Sequence, residues 1–483
     1  MPKKSADLVL QGGVTSAFVY IGLIRRLSRD YHFKCLGGAS SGAVAAAAAA
    51  IAEHSRLHPP AGVPAFDPFQ RLGAFPDALA ALDANGETAL FKLFQAQPAS
   101  ARAWRAASAA GRRLPAGLGA AAWAAGVAAL RTFPLAAALG LALGALPAFA
   151  LFAQRGGAMD MLAWLSLGAA VLVGVVLAGL GLLVGVGWAI WRSLVANHFG
   201  LCSGMGETHT SGPPDPDRLP LSWAFHGLFS QLAGRGLADD PITFGQLWGA
   251  DDKRREIDLQ VITTSLSLQR PFRLPGDPGV NPLQAFFYDP AEWREFFPGP
   301  VLKWLVDKRL SHGSVKVTNA DGVTLLALPA PRDWPILLAA RLSLSFPVLL
   351  SAVPMYTLDG ARDRQPSAGE ATRFIARRVY FSDGGITNNC PVQLFDAALP
   401  RRPTFVVKLA KLPEGHTQRW RVWLHGDAGD PPPKVKPIHG VFGFAGSLIG
   451  TLMGWRDQVQ ADLPGYRERS ATVGLRAAEG GLN

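Results

Sequence analysis

Charge is scarce in this 483-residue chain: 17% of the residues are Asp, Glu, Lys or Arg, against about 25% in a typical soluble domain. Cysteine is scarcer still. Cys35, Cys202 and Cys390 lie far apart and form neither a disulfide framework nor the paired spacing of a zinc site, which suits the reduced thiols of a cytosolic protein. The ten histidines lack metal-ligand spacing as well, so neither metal nor cofactor is expected. There is no internal repeat and no run of five or more basic residues. The net charge of +11, 47 basic against 36 acidic, therefore points away from nucleic acid. The arginines cluster beside apolar segments instead, as they would against an anionic lipid surface. The opening Met1–Asp7 leads straight into a strand and does not have the form of a signal peptide.

The charge deficit is concentrated in two places. Between Arg131 and Arg155 lie 23 uncharged residues, and between Asp160 and Arg192 lie 31 more. A membrane-spanning helix needs about 20, so both stretches qualify, with helices expected at about 132–154 and 161–191. The longer would extend roughly 46 Å and must tilt or project. A third apolar stretch, Leu114–Leu130, is shorter and reads as an interfacial or packed helix. Arg102, Arg105, Arg112, Arg113 and Arg131 crowd one side of the hairpin, whereas its turn carries only Arg155 and Asp160. Under the positive-inside rule this puts the rest of the chain in the cytoplasm. The Ala-, Gly-, Arg- and Pro-rich composition suits a GC-rich bacterial genome, so the expected location is a bacterial inner membrane. Nothing in the sequence sets an oligomeric state.

Three motifs carry chemistry. Gly38-Ala39-Ser40-Ser41-Gly42 follows the apolar stretch Phe33–Leu36 and precedes an alanine-rich helix, Ala43–Ala52. Strand, tight turn and helix in that order form a nucleophile elbow, and the helix start favours a developing negative charge near Ser40. Val379–Ser382 reads as a strand running into Asp383-Gly384-Gly385, where a bend leaves the carboxylate accessible. Strand Leu8–Leu10 leads through Gln11-Gly12-Gly13-Val14-Thr15-Ser16 into a helix, Ala17–Ser28, and exposes backbone N–H groups to an anion.

Together the three motifs resemble the patatin-like phospholipases, serine acyl hydrolases. The resemblance extends to Ile257–Thr264, Ala340–Pro347 and Asp383–Pro391, and covers about 1–55 and 220–483. It implies an α/β fold, a patatin-like three-layer sandwich with a central, mostly parallel sheet, here interrupted by an inserted α-helical transmembrane hairpin. Residues 1–113 and 193–483 would form the catalytic domain and 114–192 the insertion. Ser40 would be the nucleophile and Asp383 its base, in a dyad without histidine. Gly12, Gly13 and the Val14 amide would form the oxyanion hole, with Gly38, Gly42, Gly384 and Gly385 shaping the turns. The expected activity is a phospholipase A or lysophospholipase, with membrane phospholipid as both substrate and anchor. The sequence departs from the family where Val14 replaces a third glycine and Ser16 a basic residue. Those departures motivate a rival reading, a catalytically silent membrane scaffold or interaction protein. A Ser–Asp–His triad through His416, His425 or His439 keeps a permissible chain order, but the Gly-Gly signature after Asp383 favours the dyad.

Overall fold

The computed structural model describes residues 3–13, 17–63, 65–82, 86–98, 100–101, 104–105, 108–109, 123, 126–128, 130–131, 134–154, 161–206, 214–215, 219–309, 316–358, 373–411, 422–424, 438, 440–461, 463, 465–466 and 468–475. The chain divides into two compact units, one of residues 1–95 with 203–483 and one of residues 96–202. The second is wider than the expected 114–192.

The larger unit is mixed α/β, built on an eleven-stranded sheet. Its strands are β1 (Lys4–Leu10), β2 (Tyr31–Ala39), β3 (Asp258–Ser265), β4 (Arg270–Leu274), β5 (Phe286–Tyr288), β6 (Leu326–Ala327), β7 (Val353–Thr357), β8 (Arg377–Ser382), β9 (Thr404–Lys411), β10 (Val422–Leu424) and β11 (Ser470–Leu475). They stand in the order β10-β11-β9-β1-β2-β3-β8-β7-β5-β6, with β4 paired to β3. The central run β11-β9-β1-β2-β3 is parallel, and the strands on either side of it are antiparallel. In β1 only Lys4 and Ser5 are exposed and Ala6–Leu10 are buried, as in a strand covered on both faces, with the buried Asp7 paired to Arg402.

Helix α1 (Ala17–Leu27) connects β1 to β2, and α2 (Ser41–Leu57) follows β2 directly. Residues Ala43–Ala50 of α2 are alanine except Val44, and all are buried. Alanine favours the helix and its small side chain permits close approach, so α2 packs against β2 and β3 on one side. On others it meets α3 (Pro68–Ala80), α6 (Leu221–Leu232) and α7 (Ile336–Ser343). Pairing of Leu10 with Gly38 and of Ala39 with Ile262 brings the carboxyl ends of β1, β2 and β3 to one edge. Loops there are the usual ligand-binding position of a parallel sheet. At the same edge β8 runs antiparallel to β3, Ser382 opposite Thr264, so Asp383 is delivered beside Ser40. A last helix, α8 (Gly440–Ala461), precedes β11.

In the smaller unit α4 (Pro134–Gln154) packs against α5 (Met161–Ala196). Both present large apolar side chains outward, among them Leu135 at 84% exposure and Leu183 and Val184 at 71%. Within α5, the 26-residue stretch Val171–Ala196 is long and apolar enough to cross a membrane. Ser100 Oγ donates to the Leu201 carbonyl at 2.5 Å, tying the start of this unit to its end. Residues 155–160, the expected turn, and most of 114–130 lie outside the described residues.

Candidate active site

Ser40 occupies a backbone conformation that an L-residue rarely adopts, φ 53° and ψ −130°, directly before the first turn of α2. Such strain costs about 1–3 kcal/mol and persists only where the surroundings enforce it. They do. A Cβ on Gly42 would lie 2.6 Å from the Gln11 carbonyl oxygen, and one on Gly38 2.6 Å from the Gly42 backbone. Only glycine lets these three segments meet, and the turn between them presents Ser40. Its side chain is 2% exposed, and Oγ approaches the Gly13 carbonyl oxygen at 3.3 Å, a long hydrogen bond.

Asp383 is equally buried, at 3% exposure. Its Oδ1 accepts the Gly385 N–H at 2.7 Å, which caps the single 3-10 turn Gly384–Ile386. Burial pushes the carboxyl up to about 7, against the smaller opposing pull of the Ser40 hydroxyl and the Gly385 amide. The serine is thus close enough to bear on the carboxyl, but Oδ2 makes no hydrogen bond of proper geometry. Serine and aspartate are brought together, with the hydrogen bond between them not closed. Gly384 is fixed as glycine, since a Cβ there would collide with the Ile262 carbonyl, the strand position opposite Ala39. Asn388, also 2% exposed, has a second unpartnered acceptor, Oδ1, in the same loop.

The glycine loop is occupied differently from the expectation. The Gly12 N–H donates to the Asn389 carbonyl at 2.8 Å. That amide is satisfied within the protein and does not face an oxyanion in this conformation, so Gly12 is removed from the set of donors. A Cβ at Gly12 would also press on Asn389 Oδ1 and the Ala39 carbonyl, so close approach explains the glycine. Val14 and Ser16 lie outside the described residues.

Two residues that sequence reasoning left without a role hold the two loops in register. Ser343 Oγ accepts the Ser40 N–H at 2.9 Å and donates to the Ile262 carbonyl at 2.6 Å. Two positions on, the Ser345 carbonyl accepts the Asp383 N–H at 3.0 Å and the Ser382 hydroxyl at 2.8 Å. Arg341, 1% exposed, donates to Ser345 Oγ at 2.6 Å and to the Ser203 carbonyl at 2.7 Å. The signal was present in Arg341-Leu342-Ser343-Leu344-Ser345: alternate serines beside a buried arginine, in an otherwise apolar segment.

Ser40 and Ser41 open onto a cleft that is partly continuous with solvent. Every other lining residue is apolar. One wall is the stripe Val44, Ala45 and Ala48 of α2; another is Leu221, Phe225 and Leu228 of α6. From Ser40 to Ala48 the helix advances about 12 Å at 1.5 Å per residue, and no α2 residue beyond Ala48 reaches the cleft. His416, His425 and His439 lie outside the described residues. Among the described residues no cluster of His, Cys, Asp and Glu could hold a metal ion.

No family model matches the chain. A protein of Rhizobium meliloti (strain 1021) described as "RpoH suppressor" is 32% identical over 538 aligned residues, spanning 100% of this chain and 79% of that protein. The chain belongs to the family of that protein. Among solved structures, the crystal structure of VipD from Legionella pneumophila covers 85% of this chain and 50% of its own, at 15% identity and a TM-score of 0.26. A likeness that slight carries no argument.

Proposed function

We propose that this protein is a membrane-anchored lipid acyl hydrolase, cleaving carboxylic esters of phospholipids or lysophospholipids through Ser40 and Asp383. The observation that carries the reading is a strained, buried serine next to a carboxyl raised to about 7, at the end of an apolar cleft. An alkyl chain fills such a cleft without leaving polar groups unpaired, and its carbonyl would then stand at Ser40. Asp383, once ionised, takes the hydroxyl proton as Oγ attacks the ester carbonyl. The negative charge moves to the carbonyl oxygen, against the α2 N-terminus and the Gly13 amide. The alcohol or lysolipid leaves with the proton, and water then attacks the acyl-serine with Asp383 again as base. In this reading the larger unit is a patatin-like sandwich, and α4 and α5 form a transmembrane hairpin with the catalytic unit on the cytoplasmic side. Lipid mass spectrometry of liposomes incubated with the protein should show released fatty acid, absent with Ser40→Ala; equal release from both forms would defeat the reading.

The satisfied Gly12 amide and the open Asp383 Oδ2 favour a second reading, a silent scaffold retaining the fold. A fluorophosphonate separates the two, because only an activated serine reacts with it.

A further inference from the structure

An oxyanion forming at Ser40 needs hydrogen-bond donors, and two backbone amides at the nucleophile are already occupied. The Ser40 N–H goes to Ser343 Oγ at 2.9 Å, and the Gly12 N–H to the Asn389 carbonyl at 2.8 Å. The residue that occupies Gly12 also brings a replacement. A Cβ built on Gly12 would lie 2.3 Å from Asn389 Oδ1 and 3.0 Å from the Ser40 Cβ. One built on Gly385 would lie 2.7 Å from the same Oδ1 and 2.8 Å from Asp383 Oδ1. A single carbon would thus bridge the Asn389 amide to the serine, and another would bridge it to the aspartate.

Asn389 is held by its backbone and not by its side chain. Its carbonyl accepts from Gly12, and Asp457 Oδ1, reaching over from α8, accepts the N–H of the next residue, Cys390, at 3.1 Å. The side-chain amide of the half-buried Asn389 makes no hydrogen bond among the described residues. With nothing fixing its orientation, a half-turn about the last torsion puts NH2 where the oxygen now stands. A neutral amide donates to a developing oxyanion at any pH and adds no charge beside Asp383.

We propose that Asn389 is a catalytic residue of this site, its side-chain NH2 donating to the ester carbonyl oxygen as the tetrahedral intermediate forms, in place of the occupied Gly12 amide. Asn389 makes no covalent bond and transfers no proton. This role rests on the hydrolase reading and deepens it. The test compares the full-length parent with Asn389→Ala and with Asn389→Leu, which keeps the volume without the donor, on a soluble 4-nitrophenyl ester. Both variants should lose about 100-fold in kcat. KM should stay within about threefold, the midpoint of the pH–rate profile should stay at about 7, and the denaturant midpoint should not move. An active parent whose variants keep kcat within about threefold overturns the proposal and leaves the hydrolase reading standing. A displaced pH midpoint also overturns it, because the amide would then be serving Asp383. So does lost activity with a lowered denaturant midpoint, the mark of a structural role. A parent that hydrolyses no ester, with Ser40 inert to a fluorophosphonate, removes the hydrolase reading and this role with it.

Discussion

Replacing Asp383 by asparagine should separate the cost of the buried carboxylate from its use. In the folded protein this carboxyl titrates near 7 rather than at its ordinary 3.8, because burial penalises the charged form. Folding therefore holds a proton on Asp383 at pH values where the unfolded chain has released it. The stability linked to that proton is fully present below about pH 4 and is lost as the pH rises through about 7. The interval between 3.8 and about 7 corresponds to a loss of roughly 4 kcal/mol, at about 1.36 kcal/mol per tenfold. Asparagine keeps an oxygen for the Gly385 N–H and never ionises. Asp383→Asn should thus unfold like the parent at pH 4 and be the more stable form at pH 8, by up to roughly 4 kcal/mol. Denaturant unfolding of the larger unit in detergent, followed at both pH values, reads this directly. A variant no more stable than the parent at pH 8 would refute the argument. For the parent, hydrolysis should rise with pH through about 7, since only the ionised carboxyl accepts the serine proton.

Three further perturbations follow from the geometry. Ala48→Phe would shorten the cleft that runs about 12 Å down α2. Assayed on esters from four to sixteen carbons, short chains should react within about threefold of the parent and long ones at least about tenfold more slowly; a uniform fall would point to general damage. Ser343→Ala leaves the buried Ser40 N–H and Ile262 carbonyl unpaired, at about 1–3 kcal/mol for each group. It should slow Ser40 acylation while Ser343→Thr restores it, as labelling rates would record. Gly42→Ala places a Cβ 2.6 Å from the Gln11 carbonyl and should lower unfolding stability by about 2–4 kcal/mol, with loss of labelling; a normal unfolding curve would contradict the reading of the elbow.

The elbow and its strand and helix were legible because each is local. Phe33–Leu36, the Gly-Ala-Ser-Ser-Gly turn and the alanine run state their own geometry, and the structure extends them to Tyr31–Ala39 and Ser41–Leu57. Asp383 was legible as a motif, but its burial was not: that depends on Ile262, Ser343 and Ser345, contributed by segments distant in sequence. The occupation of the Gly12 amide was hidden for the same reason, since its acceptor is the carbonyl of Asn389, far along the chain. Helix α8 was missed because glycines at 440, 443, 446, 450 and 454 lower its helix propensity. Strands β10 and β11 are short or composed of Ser, Ala, Thr and Gly around single valines, and carry little pattern of their own.

In the proposed mechanism Ser40 is a nucleophile that Asp383 activates. Peptide mass spectrometry after exposure to an alkyl fluorophosphonate tests this most directly. The expected result is one covalent adduct, on the peptide containing Ser40, formed at least about 100-fold more slowly in Asp383→Asn. An unmodified Ser40, or equal labelling in the two proteins, would contradict it.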